Sequence, residues 1–410
     1  MLGVETTTID NWRSRLSAVK PRSSTQAILD TTFAQHATGE DRARFEQIVA
    51  EGEAVWRQRH PPNATKPGVP SDAPFLSDEG QVRDSPESSS ELLAVLRRVH
   101  KHSRSVNPDI IEQLQVNTLD TIARYETVDP AGLVHSLKEQ RVWLDELIDE
   151  CGHPKQRGEL FEIASETSGL LGYISVGTGN YPLARAYCLE AFHLGENAES
   201  SNLTAWARGL QSFCEYYAGR YEQARDFAQN GLLHAGGGPQ SVRLAINGVA
   251  RAMGKLGDTE GVERAVDLAH ELASKGEAPP GVPSSISLGS YSTAQLAGNA
   301  ATSYLSLGIP EEVERYAEIA LTDMNDTNSP WGRSLVMIDI ARSHVIAESG
   351  DLDTAVAIMH DALETTTQGK PMTQVHRRAS EFLHDVARRW GDTAQLRSVR
   401  DALTSKEDDS

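Results

Sequence analysis

Cysteine is almost absent: Cys151, Cys188 and Cys214 are the only three in 410 residues, and none belongs to a CxxC pair. An odd count without that spacing excludes a disulfide framework and a zinc knuckle, and it points to a reducing compartment. Long apolar runs are missing as well. Nothing approaches the roughly 18 apolar residues of a membrane span, and no charged-then-apolar stretch opens the chain, so no membrane partner is expected and a cytoplasmic setting is. Basic charge is scarce, with 39 Lys and Arg against 58 Asp and Glu, a formal charge of -19 and a pI near 5.1. The chain as a whole is therefore repelled by phosphate backbones and anionic membranes, and any DNA contact must be confined to a locally basic surface.

The signatures of chemistry are missing too. The sequence contains no phosphate loop, GxSxG elbow, HExxH or GxGxxG set between strand and helix. Gly236-Gly237-Gly238-Pro239 lacks a following Lys-Ser/Thr and reads as a connector. The 13 histidines are dispersed, and His100 and His102 lie two apart, on different faces of a helix with no third ligand nearby. No metal, no cofactor and no catalytic activity are expected.

What the chain does have is helical spacing of Ala and Leu with few aromatics (6%), which suits an all-α array of small-into-large packing. Self-similarity sharpens this. Six glycines, Gly179, Gly219, Gly257, Gly308, Gly350 and Gly391, are separated by 40, 38, 51, 42 and 41 residues. Each is followed, usually, by an apolar or ring residue two later, small or apolar residues five and eight later, and Ala twelve later. The first copy reads Tyr181, Ala184, Tyr187, Ala191, and the last, Thr393, Leu396, Val399, Leu403, is frayed as a capping repeat should be. A glycine that ends one helix in a left-handed turn, followed by small residues that let the next helix sit close, accounts for the pattern. Upstream, residues 109–126 and 131–150 form a further helical pair joined at Val128-Asp129-Pro130.

This pattern resembles the tetratricopeptide repeat, with Leu171-Gly172 and the Gly179 to Ala191 run matching best. The resemblance implies a right-handed helical solenoid, here over residues 107–405 within a repeat domain of 91–410. Counting each anchor glycine as position 15, positions 2, 5, 9 and 12 of the preceding helix should line the concave groove. They include Trp206, Phe213 and Tyr216 from the second repeat, Asn247 and Arg251 from the third, Gln295 and Thr302 from the fourth, and Met337 and His344 from the fifth. Aromatic walls with a few polar groups suit a peptide or small-molecule ligand.

Residues 56–90 form a Pro-, Ser-, Gly- and Asp-rich stretch too poor in large apolar residues to offset ordering entropy, and they read as a flexible linker. Before it, Leu2-Gly3-Val4, Thr6-Thr7-Thr8, Ile9 and Trp12 resemble the turn and recognition helix of an XRE-type helix-turn-helix. Arg13 and Arg15 depart from the family's usual Glu and Gly. The two helices that open such a domain would precede Leu2, so residues 1–55 are expected to form a partial domain. By that resemblance Thr6, Thr7, Asp10 and Asn11 face base edges, and Arg13, Arg15, Lys20 and Arg22 lie near phosphates. Together these parts resemble the regulators of high-GC Gram-positive bacteria that join an XRE helix-turn-helix to a tetratricopeptide sensor. The layout implies a homodimeric transcriptional regulator in which groove ligand controls DNA binding. The alternative is a tetratricopeptide interaction adaptor that does not bind DNA.

Overall fold

The computed structural model describes residues 86–408, apart from short stretches at 103–105, 126–129, 278, 280, 325–329 and 366–372. The helix-turn-helix residues and nearly all of the linker lie outside the described residues. Residues 86–90, assigned to the linker on composition, form the first turn of helix α1 (Pro86–His102).

The described residues contain fifteen helices and no strand. After α1 come α2 (Pro108–Arg124) and α3 (Pro130–Glu150), the pair anticipated from periodicity. Six hairpins follow. They are α4 (Pro154–Gly177) with α5 (Tyr181–Asn197), α6 (Ser201–Tyr217) with α7 (Tyr221–Ala235), and α8 with α9 (Thr259–Lys275). Then come α10 (Thr293–Leu307) with α11 (Pro310–Asp323), α12 (Pro330–Ile346) with α13 (Leu352–Glu364), and α14 (Thr373–Trp390) with α15 (Ala394–Asp408). Helix α8 runs through three segments, Gln240–Arg243, a π-helical Leu244–Ala250, and Arg251–Leu256. The two helices of each hairpin pack on one another, and ahead of them α1 packs on α3 and α2 on α4, which is the pattern of a helical-repeat array.

Local chemistry explains the boundaries. Six helices start on proline, whose missing N–H is one that a first turn leaves unpaired anyway. At the first four anchors, Gly179, Gly219, Gly257 and Gly308, φ lies between 73° and 78°. In each, the amide after the glycine donates to the carbonyl four residues before it, as Arg220 does to Glu215 at 2.9 Å and Ile309 to Tyr304 at 3.1 Å. That is the Schellman closure, and a Cβ at those glycines would clash with its own backbone. Downstream, the residues five and twelve after every anchor are buried, so they form the seams between helices.

The fifth anchor behaves otherwise. Gly350 is not left-handed, and the amide after it, Asp351, donates to His344, six residues before the glycine. The turn is two residues longer than in the first four hairpins. Arg389 fills the added space, donating to the carbonyls of Val345 (2.6 Å), Ala347 (2.5 Å) and Glu348 (2.9 Å).

The array curls on itself. Arg377 of α14 donates to the carbonyl of Tyr217 at the end of α6, and Trp331 of α12 meets Tyr125 after α2 edge-on at 5.9 Å. The inner surface is therefore ringed by hairpins and not an open trough.

Candidate ligand cavity

Position 9 of the first four repeats is occupied by Tyr173, Phe213, Arg251 and Thr302, and all four line one cavity of about 100 Å³ on the inner surface. Shared register is the reason: identical Schellman turns carry the residue six before each glycine to the same side. Tyr173 and Phe213 stack at 4.8 Å, making one aromatic wall, and the rings of Trp331 and Tyr291 also line the cavity. Helix α14 closes the ring with Gln374 and Arg378.

The π-helical segment sets the polar wall. One extra residue per turn over Leu244–Ala250 widens α8 immediately before Arg251 and includes Asn247, and both side chains reach the cavity. Asn247 accepts from Arg251 Nη1 at 3.1 Å and donates to the Tyr291 hydroxyl at 3.0 Å. Arg251 is 3% exposed. Its guanidinium lies 4.2 Å over the Tyr216 ring, and Nη2 donates to the Tyr217 hydroxyl at 3.3 Å, while Nε has no partner among the described residues. Tyrosine hydroxyls, not carboxylates, hold its charge, and they push its pKa up despite the opposing effect of burial.

A segment without regular structure completes the site. Residues 281–292, between α9 and α10, run along the inner face and are held by side chains donating to their carbonyls. Trp206 Nε1 donates to Ile286 (3.0 Å), Gln240 Nε2 to Leu288 (2.8 Å) and Gln295 Nε2 to Pro283 (2.8 Å). The Ile286 side chain is fully buried in the core around Trp206. This strap covers part of the surface that the repeat register alone would leave to a ligand.

Of the nine residues assigned to the groove on sequence, Phe213, Asn247, Arg251, Gln295 and Thr302 meet around the cavity. Gln295 is occupied in capping α10, accepting from the Ser292 amide, and Thr302 donates to Asp339 at 2.6 Å. Tyr216 lines a smaller crevice beyond Arg251. Three assignments need correction. Trp206 is a core residue, 0% exposed, packed on Gly169 and sealed by the strap. Met337 and His344 do not line the cavity, because the longer fifth turn shifts the count by two. Leu335 and Arg342, two residues earlier, are the ones that reach the cavity and the crevice. Gln374, Arg378 and the strap were missed: the strap reads as a Pro- and Gly-containing surface loop, and only tertiary folding brings α14 across. Arg378 does sit at position 2 of the sixth repeat, so the same rule extended to Gly391 finds it.

Among the described residues no group of three His, Cys, Asp or Glu could hold a metal, and no helix is long and apolar enough to cross a membrane. The three thiols are buried, and burial, with Glu215 adding, pushes Cys214 up to about 11. His100 pairs with Glu150 at 3.0 Å, leaving it as part of a helix contact.

No family model matches the chain, and no curated protein does. Among solved structures it is similar to the crystal structure of BtubC (BKLC) from P. vanneervenii, at 16% identity and a TM-score of 0.40, over 56% of this chain and 90% of that one.

Proposed function

We propose that this protein is a ligand sensor, in which a helical-repeat array encloses a small organic molecule and transmits its presence to the N-terminal segment. The observation that carries the reading is the convergence of Arg251, Asn247, Gln374 and four aromatic rings, from elements far apart in sequence, on one cavity. A purely structural array has no need to bury a cation there without a carboxylate. The strap supports a small molecule over an extended peptide, because it already lies along the inner face where such a peptide would run. The output we propose is control of DNA binding through residues 1–55. That part rests on their resemblance to a helix-turn-helix and on the locally basic Arg13, Arg15, Lys20 and Arg22.

The test is a gel shift with the full chain, extended upstream where its gene allows, on DNA from its own promoter region. The proposal expects specific binding that changes when a cavity ligand is added and a loss of that change in Arg251→Met, because coupling requires differential affinity for two states. Ligand binding without DNA binding under any condition would leave a sensor or adaptor that acts on another protein.

A further inference from the structure

We infer that the cavity takes a monoanion with an aromatic body, a small aromatic carboxylate, with Arg251 as its charge partner. The inference rests on the cavity being a ligand site and adds the chemistry of what fills it.

Charge balance comes first. In a chain of net charge -19, the residues around the cavity include two arginines and no Asp or Glu. Arg378 is matched: its Nη1 donates to Asp339 at 2.7 Å. Arg251 is not, since no carboxylate among the described residues pairs with it, and its neighbours are Asn247, Tyr216 and Tyr217. One uncompensated positive charge in a buried site calls for one negative charge, not the two of a phosphate monoester. Geometry narrows it further. Nε of Arg251 is buried without a hydrogen-bond partner among the described residues, and Nη2 donates to Tyr217 over a long 3.3 Å, so the edge joining them has unmet donor capacity that the two oxygens of a carboxylate would fill.

The rest of the lining describes the ligand's body. The Tyr173–Phe213 stack makes a flat aromatic wall, and Trp331 and Tyr291 add two further rings to the lining. At about 100 Å³ the cavity is smaller than the roughly 150 Å³ that takes up benzene in an apolar core, so it has room for one ring at most. Gln374 adds a polar requirement. Its side chain is 3% exposed, it lines the cavity, and neither its Oε1 nor its Nε2 has a partner among the described residues. A hydroxyl, able both to donate and to accept, would satisfy such an amide.

Calorimetric titration of the full chain with 4-hydroxybenzoate and with its neutral isostere 4-hydroxybenzamide tests this. The expected result is at least tenfold tighter binding of the carboxylate, with that preference lost in Arg251→Met and the affinity for both probes reduced in Gln374→Leu. The two probes differ in charge and hardly in shape, so the wild-type comparison stands even where a variant folds poorly. Equal binding of both, persisting in Arg251→Met, would overturn the monoanion while leaving the cavity as a ligand site. Binding of neither would overturn both.

Discussion

The first four hairpins and the fifth are built on the same spacing of small residues, yet they present their inner faces differently. In the first four, a left-handed glycine and a Schellman closure fix the distance from turn to helix, so one register position repeats as Tyr173, Phe213, Arg251 and Thr302 around one cavity. In the fifth, two added residues and the Arg389 side chain replace that closure. The lesson is that a repeat's helix-packing pattern and its turn are separable. The seam residues Ala355 and Ala362 of α13 keep their places in the core while the inward-facing positions of α12 shift by two.

The largest effect should come from position 2 of a Schellman hairpin. Trp206→Ala removes a fully buried indole and leaves the Ile286 carbonyl unpaired, so it should cost about 3–5 kcal/mol in denaturant unfolding. Met337→Ala, at the same nominal position of the fifth hairpin but half-buried, should cost well under half as much. Equal losses would mean that the registers of the two hairpins are the same.

Glu166 occupies position 2 of the first hairpin, and burial pushes its carboxyl up to about 8, with Gln115 opposing and Glu162 adding. The folded chain therefore binds a proton that the unfolded chain releases at lower pH. The stability this contributes is fully present below the ordinary Glu range and is lost as pH rises through about 8, a fall of a few kcal/mol. Thermal melts between pH 5 and 9 should show that fall, and Glu166→Gln should flatten it. An unchanged profile in the variant would assign the effect to another group.

Glycine substitution separates the two turn types directly. Gly219→Ala forces a Cβ into a left-handed residue and should cost about 1–2 kcal/mol in any background. At Gly350 the nearest atoms a Cβ would meet are those of the Arg389 guanidinium. Its cost should therefore vanish in an Arg389→Ala background, which a double-mutant cycle reads as coupling. Smaller still is the stability change expected at the cavity. Arg251→Met replaces a buried, unmatched cation with an apolar side chain and should raise ligand-free stability by about 1 kcal/mol. A loss of that size would mean that Arg251 has a structural counter-charge.

Much of the array was legible in the sequence because its determinants are local. Glycine at a left-handed turn, Ala at the seams and proline at helix starts all act within a few residues, so the hairpin order and the helix pair at residues 108–150 could be read directly. The cavity was half legible. Phe213, Asn247, Arg251 and Thr302 follow from counting back from a turn, but Met337 and His344 fail where a turn lengthens without changing its glycine. Gln374 and the strap were out of reach, since both arrive through closure of the array and are separated by about ninety residues of chain. Spent polar capacity was equally invisible: Gln295 and Thr302 sit at the cavity with their hydrogen bonds already used.

The proposed ligand site is one inner cavity, fixed by the register of the first four turns and closed by α14. Crystals of the full chain grown with 3-bromo-4-hydroxybenzoate, which keeps the hydroxyl offered to Gln374 and marks the ring with a bromine located by its anomalous signal, test this placement. A single strong peak is expected among Phe213, Trp331 and Gln374, within reach of a carboxylate held on Arg251. A peak on the face that carries Met337 and His344, or none in the cavity at saturating probe, would contradict it.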